Sequence, residues 1–361
     1  MNVAIQDIGR RLERGFLPLL AFIPISCFFA LFTEHRTMTF ITSILAIIPL
    51  ARLIGRTTRE IALQSNPAFG GLINATFGNA IELFICILAL SRGLTVVVQA
   101  SIIGSIIGNI LLLTGLSIFA GGLRFKEQTF NKDSIGVSST MLIIAVTGLA
   151  IPTVYSLTTT AGVRQVQILS DAVAIVLALV YFAGLIFAFF THKHLFDASD
   201  EILASDEKPT MSKQKATVLL LLATLAVAIE SHFLVRDVEV AAKSMGITQT
   251  FIGVVVIAII SNISEKVSAI RFAMENKLDL SLEIGLSSAI QIALFVVPTL
   301  VLVSELFGMQ FSLKFSMFEI ISVVLAVMIV NHLSSDGRCN WLEGVQLVSV
   351  YLIIAMAFFF I

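Results

Sequence analysis

The chain alternates long apolar runs with short polar breaks. A spanning helix needs about 20 mostly apolar residues, and eleven runs approach or meet that length: 16–34, 38–54, 70–91, 94–120, 136–154, 170–190, 216–235, 248–272, 281–305, 315–334 and 342–361. Some carry no charge at all, such as the stretch from Val137 to Val163; others contain acids. The pattern predicts an all-α polytopic membrane protein with eleven transmembrane helices. The longest polar stretch, Thr191 to Lys215, holds His192, His194, Asp197, Asp200, Glu201, Asp206 and Glu207, followed by Lys208, Lys213 and Lys215. It falls near the middle and reads as an acidic linker, with a cytosolic cation sensor as its sharper reading.

A shift of 183 residues superposes the two sides of that linker. Gly70 falls on Gly253, Asn79 on Asn262, Glu82 on Glu265 and Ser105 on Ser288, with no gap. The predicted organisation is an N-terminal tail and lone first helix (1–37), a five-helix repeat (38–190), the linker (191–215) and a second five-helix repeat (216–361). Five spans are odd, so the second copy is inverted. Inverted repeats are an architecture of secondary transporters, whose ion sites lie at the repeat interface near the midplane.

Composition supports a membrane location: 57% of residues are hydrophobic and 13% charged, about half the charge of an ordinary soluble domain. Lipid must cover much of the surface. The net charge of -1 speaks against a nucleic-acid partner. Cys27, Cys86 and Cys339 are scattered, without metal spacing. Arg10, Arg11 and Arg14 precede the first apolar run as a signal peptide's basic region would, but no clean cleavage site follows. We read a first spanning helix. With the N-terminus cytoplasmic, most Lys and Arg fall in the cytoplasmic segments, which places the C-terminus outside. The expected location is a prokaryotic plasma membrane, and a homo-oligomer is left open.

The acids inside the runs carry the chemistry. A carboxylate at mid-membrane is costly and marks function by default. At helical spacing, Thr76, Asn79 and Glu82 share one face, and Asn262 and Glu265 form its counterpart. Gly78 and the Gly70-Gly71 pair permit local unwinding that frees carbonyl oxygens. Ser105 and Asn109, and Ser288 and Gln291, add oxygens from the following helices, although a lone Asn or Gln also serves as interhelical glue. Two carboxylates, amides and hydroxyls make an all-oxygen set suited to a hard cation such as Ca²⁺. The same carboxylates, when protonated, leave a neutral empty site, so cation and protons can be exchanged. Glu230 either lines an exit path or is a snorkelling or pore-facing bystander.

At these residues the chain resembles the calcium/proton exchanger family of the calcium:cation antiporter superfamily. The likeness is carried by Phe69-Gly70-Gly71-Leu72-Ile73-Asn74-Ala75-Thr76-Phe77-Gly78-Asn79-Ala80-Ile81-Glu82, by Gly104-Ser105 with Gly108-Asn109, by Ser288 with Gln291, and by the tail Ser335-Asp336-Gly337 with Asn340-Trp341-Leu342-Glu343-Gly344. The resemblance implies a lone first helix plus two inverted five-helix halves. It implies a cation site using Asn79, Glu82, Asn262 and Glu265, Ca²⁺ and H⁺ as transported ions, and no cofactor. The second motif departs: where the family has Gly-Asn-Ala-Ala-Glu-His, this chain has Ser261-Asn262-Ile263-Ser264-Glu265-Lys266. Lys266 is read as a proton-coupling amine, as a charged partner of a carboxylate, or as a bystander pointing around the helix. The first two readings admit a monovalent or Na⁺-coupled exchanger as the alternative. An intramembrane enzyme lacks a metalloprotease HExxH or a Ser–His pairing, the repeat favours alternating access over a channel, and Lys266 is the only hint of a transport-dead relative.

Overall fold

The structure, a computed structural model, describes residues 18–65, 67–160, 162–192, 209–333 and 335–361. The basic N-terminal residues Arg10, Arg11 and Arg14, and the linker acids Asp197, Asp200, Glu201, Asp206 and Glu207, lie outside them. Apart from one two-residue strand pair, the described elements are helical, as lipid demands of a chain whose backbone groups must be satisfied internally. In order they are α1 (Pro18–Phe32), α2 (Arg36–Leu63), α3 (Pro67–Phe77), α4 (Ala80–Ser91), α5 (Thr95–Gly122), α6 (Lys132–Thr158), α7 (Val163–Thr191), α8 (Lys213–Met245), α9 (Gln249–Ser261), α10 (Ile263–Met274), α11 (Leu278–Leu306), α12 (Met317–Leu333) and α13 (Trp341–Phe360). Strands β1 (Gln128–Thr129) and β2 (Arg338–Cys339) pair antiparallel.

Among the described residues seven helices are long and apolar enough to cross a membrane: α2, α5, α6, α7, α8, α11 and α13. The pair α9 and α10 makes an eighth if counted as one span bent by 61°. Helices α1, α4 and α12 are apolar but shorter. Two spans outrun the apolar windows: α2 continues through Arg56, Thr57, Thr58 and Arg59 to Leu63, and α8 runs on to Met245. Tertiary contacts hold both extensions. Asp237 in α8 is fully buried and accepts from Arg36 at 2.9 Å and from Arg236 at 2.8 Å. At the opposite end of α2, Glu60 accepts from the Thr210 backbone N–H at 2.9 Å and from the Thr210 hydroxyl.

The chain forms two compact units. One is built from the described residues up to Leu88, Pro209–Gln249 and Ile260–Ser264; the other from the described residues of Ala89–Lys208, Thr250–Ile259 and Glu265–Ile361. In the first unit the long helices α2 and α8 pack together with α1. Glu230, 1% exposed in α8, accepts from the Ser26 hydroxyl of α1 at 2.6 Å. The snorkelling reading of Glu230 is therefore wrong: the side chain points inward and ties α1 to α8.

In the second unit α5 and α9 cross at backbone distance. A Cβ on Gly104 would overlap the Val254 backbone, and one on Gly253 would come within 2.6 Å of Ala100 Cβ. Small residues allow this approach, the usual way apolar helices gain contact in a membrane. Among the described residues four π-helical turns lie in this unit's helices, at Gly108–Leu113 in α5, Phe187–Thr191 at the end of α7, Ile252–Ile257 in α9 and Ile292–Val296 in α11. The segment between α11 and α12 is held by side chains. The Thr153 hydroxyl donates to Leu313 O and accepts from Phe315 N, while Ser170 Oγ accepts from Leu313 N. Glu319 and Ser316 form a reciprocal cap at the start of α12, and Glu343 closes a capping box on Asn340 at the start of α13. Such caps are each worth about 1 kcal/mol. They give these helix-end acids a local task. Burial, then the nearby Glu343 and Asp336, push the Cys339 thiol up, so it stays protonated.

Candidate functional site

The 70–91 run is not one helix. It breaks between Phe77 and Ala80, with Gly78 and Asn79 in the turn. The Asn79 carbonyl accepts the Leu83 N–H at 3.0 Å, so Asn79 sits where a helix N-cap sits and Glu82 lies in the first turn of α4. The single face expected for Thr76, Asn79 and Glu82 is thus corrected. Asn79 and Glu82 are buried, Glu82 at 2% exposure, but Thr76 is exposed on α3 and its hydroxyl donates to Leu72 O at 2.8 Å.

The second motif breaks in the same way. Helix α9 ends at Ser261, Asn262 occupies the turn, and Glu265 falls in the first turn of α10. Asn262 is buried and its Nδ2 donates to Ser261 Oγ at 3.2 Å. The sequence did hold a signal for both breaks. Asn-x-x-Glu has the spacing of a capping box, a helix-start signature, and Asn is a favoured N-cap because its short polar side chain competes with the helix. Each Glu also lies at the positive end of a helix dipole, which favours negative charge there.

The second unit brings three expected residues, Lys266, Asn109 and Ser288, into one chain of contacts. Lys266 is 6% exposed. Its Nζ donates to Asn109 Oδ1 at 3.4 Å and to Ala258 O at 3.3 Å. Asn109 Nδ2 in turn donates to Ser288 Oγ at 2.8 Å. Ser105, on α5 one turn before Asn109, is fully buried; Gln291 is half-buried. The bystander reading of Lys266 does not describe this geometry. The side chain reaches back across the break to the last turn of α9, where helix carbonyls collect partial negative charge. Arg271, further along α10, is exposed and pairs with Glu275 at 2.9 Å. The π-helical turns were not foreseen. The one in α5 begins at Gly108 and carries Asn109, and such bulges concentrate at functional sites.

The donor set is all oxygen apart from Lys266. Among the described residues no group of three or more His, Cys, Asp or Glu side chains comes together. A cation held here must therefore use amide, hydroxyl or carbonyl oxygens beside its carboxylates, which is the ligand chemistry of hard cations.

The family model described as sodium/calcium exchanger protein matches residues 35–190 and 215–360. The chain belongs to that family. A Ca(2+)/H(+) antiporter of Synechocystis sp. is 43% identical over 366 residues, covering 96% of this chain and 97% of that protein. The Ca(2+)/H(+) antiporter ChaA of Bacillus subtilis is 38% identical, covering 95% and 98%. The solved structure of native YfkE superposes with a TM-score of 0.83 at 36% identity, covering 96% of this chain and all of that one. The exchanger-family resemblance read from the motifs is thus borne out, and the chain is an integral membrane protein.

Proposed function

We propose that this chain is a secondary active antiporter that exchanges Ca²⁺ for H⁺ by alternating access. It is a transporter and not an enzyme; Ca²⁺ and protons are its cargo. The observation that carries the reading is the recurrence, 183 residues apart, of a helix break with a buried Asn in the turn and a Glu in the first turn beyond it. The relatives named as Ca(2+)/H(+) antiporters match nearly end to end and support the cargo.

In this reading Glu82 and Glu265 bind the ion and exchange protons, assisted by the amide oxygens of Asn79 and Asn262. Ser105, Asn109, Ser288 and Gln291 line the route or support the ligands. A carboxylate is a cation ligand when charged and a proton carrier when neutral, so loading one cargo excludes the other. We further propose eleven spans, with 38–190 and 216–361 as inverted halves. The family model takes the two stretches separately, which supports this. So do the π-helical turns: shifted by 183 residues, Gly108–Leu113 falls on 291–296, and the turn in α11 spans Ile292–Val296. With the N-terminus inside, pairs such as β1 with β2 join loops assigned to one side, as do Glu60 with Thr210 and Arg36 with Asp237. A prokaryotic plasma membrane suits the bacterial relatives. The test is ⁴⁵Ca²⁺ uptake into everted vesicles driven by a pH gradient. Glu82→Gln must abolish it; uptake surviving in that variant would sink the proposal.

One observation favours a second reading, an exchanger for a monovalent cation. The buried Lys266 Nζ on Asn109 Oδ1 places a basic group among the candidate ligands. Competition of Na⁺, K⁺ and Mn²⁺ against Ca²⁺ in the same vesicles separates the two.

A further inference from the structure

Far from the two motifs, an open cavity of about 510 Å³ lies where α5 ends and α13 begins, lined by Phe119, Gly122, Leu123, Arg124, Lys126 and Trp341. The two helix ends meet backbone to backbone: a Cβ on Gly122 would stand 2.6 Å from Trp341 N. Both helices are spans, so their ends mark a membrane boundary. Trp341 is the only tryptophan of the chain and 49% exposed. Leu123 beside it is exposed as well. An aromatic ring with one apolar and one polar edge is at home at headgroup depth.

Charge gives the cavity its specificity. Arg124 and Lys126 are exposed, and among the described residues neither pairs with a carboxylate. Arg124 is held in place by donating to Met274 O at 3.4 Å. The acids of the same region are engaged elsewhere. Glu127 pairs with Arg338 at 3.2 Å, Glu343 accepts the Asn340 N–H at 2.8 Å, and Asp336 accepts the Arg338 N–H at 3.1 Å. Two cations above an apolar wall at a span boundary fit a phosphate attached to a fatty stem. We infer that this cavity binds an anionic phospholipid, its phosphate on Arg124 and Lys126 and its glycerol and upper acyl chain along Leu123, Phe119 and Trp341. The assignment does not depend on the transport reaction.

Trp341 reports on the site directly. The full-length chain is reconstituted with phosphatidylglycerol or phosphatidylcholine carrying dibrominated acyl chains, and tryptophan quenching is followed against mole fraction of brominated lipid. Brominated phosphatidylglycerol should quench at a mole fraction lower by on the order of tenfold. Arg124→Gln with Lys126→Gln should move that curve onto the phosphatidylcholine curve. Lys132→Gln, an exposed cation at the start of α6 that does not line the cavity, should leave it in place. Equal quenching by the two lipids overturns the proposal, as does loss of the preference in Lys132→Gln, which would reduce it to general surface charge. Inorganic phosphate that erases the preference at millimolar concentration would assign the cations to a soluble anion and likewise overturn the lipid. An unchanged Trp341 emission maximum without brominated lipid shows that the double variant is folded.

Discussion

After Asn79 the chain runs Ala80-Ile81-Glu82-Leu83; after Asn262 it runs Ile263-Ser264-Glu265-Lys266. Both segments interrupt a helix at the Asn and restart it so that the Glu falls in the first turn. Their surroundings then diverge. Glu82 is buried and followed by an aliphatic side chain, whereas Glu265 is half-buried and followed by a lysine whose amine bonds Asn109 and Ala258. A third Asn-x-x-Glu, Asn340 to Glu343, shows what the spacing does when it serves structure alone. There Glu343 turns back to its own N-cap and closes a capping box. The same four-residue word thus starts three helices. What separates Glu82 from such an ordinary helix start is burial away from water, where an acid is too costly to keep for capping alone.

The comparison can be broken most severely at Glu82. Glu82→Gln keeps the shape and removes the charge. Vesicle uptake should fall by about 100-fold or more, the loss of a charged ligand worth roughly 3 kcal/mol. Wild-type uptake in that variant would make the first motif another structural helix start. A transplant comes next: Leu83→Lys gives the first motif the second motif's cation. If a neighbouring amine weakens divalent binding, half-saturation by Ca²⁺ should rise by about tenfold, on the scale of a modest pair interaction at intermediate dielectric. The reverse exchange, Lys266→His, restores the residue the exchanger family has there and should raise Ca²⁺ uptake by a few-fold. An unchanged rate would show that the Lys266 bond to Asn109 only braces the break. The smallest effect is expected from Ser288→Ala, which removes the acceptor of Asn109 Nδ2. It should cost about 1 kcal/mol, read as a drop of a few degrees in melting temperature in detergent, with Ca²⁺ half-saturation moving less than fivefold.

How much of this was legible beforehand varies by feature. The apolar runs located helices well, because a run of side chains that all prefer lipid is recognisable without its partners. Their ends were less legible. The extension of α2 to Leu63 and of α8 to Met245 passes through polar residues that tertiary contacts such as those of Asp237 and Glu60 hold in place. The breaks at Asn79 and Asn262 were half written: Gly78 and the capping spacing were present, but the long apolar run outweighed them in a reading by hydropathy. Thr76 was drawn into the site by assuming one continuous helix; the break at Gly78 rotates that assumption away. The π-helical turns left no trace that hydropathy reads.

The sequence by itself determined that this protein lives in a membrane and which family it resembles, and it singled out the acids inside the apolar runs as candidates for its chemistry. Those follow from local composition and from short words such as Asn-x-x-Glu, which are one-dimensional properties of the chain. Tertiary structure alone decided where the side chains go. Lys266 could have faced lipid, a carboxylate or the next helix. It bonds Asn109, 157 positions away, and Ala258 in the last turn of α9. Glu230 could have snorkelled to the surface, but is buried and accepts from Ser26 where α1 packs against α8. A rotamer and a helix bend are set by what stands opposite, and no stretch of sequence contains its own opposite side.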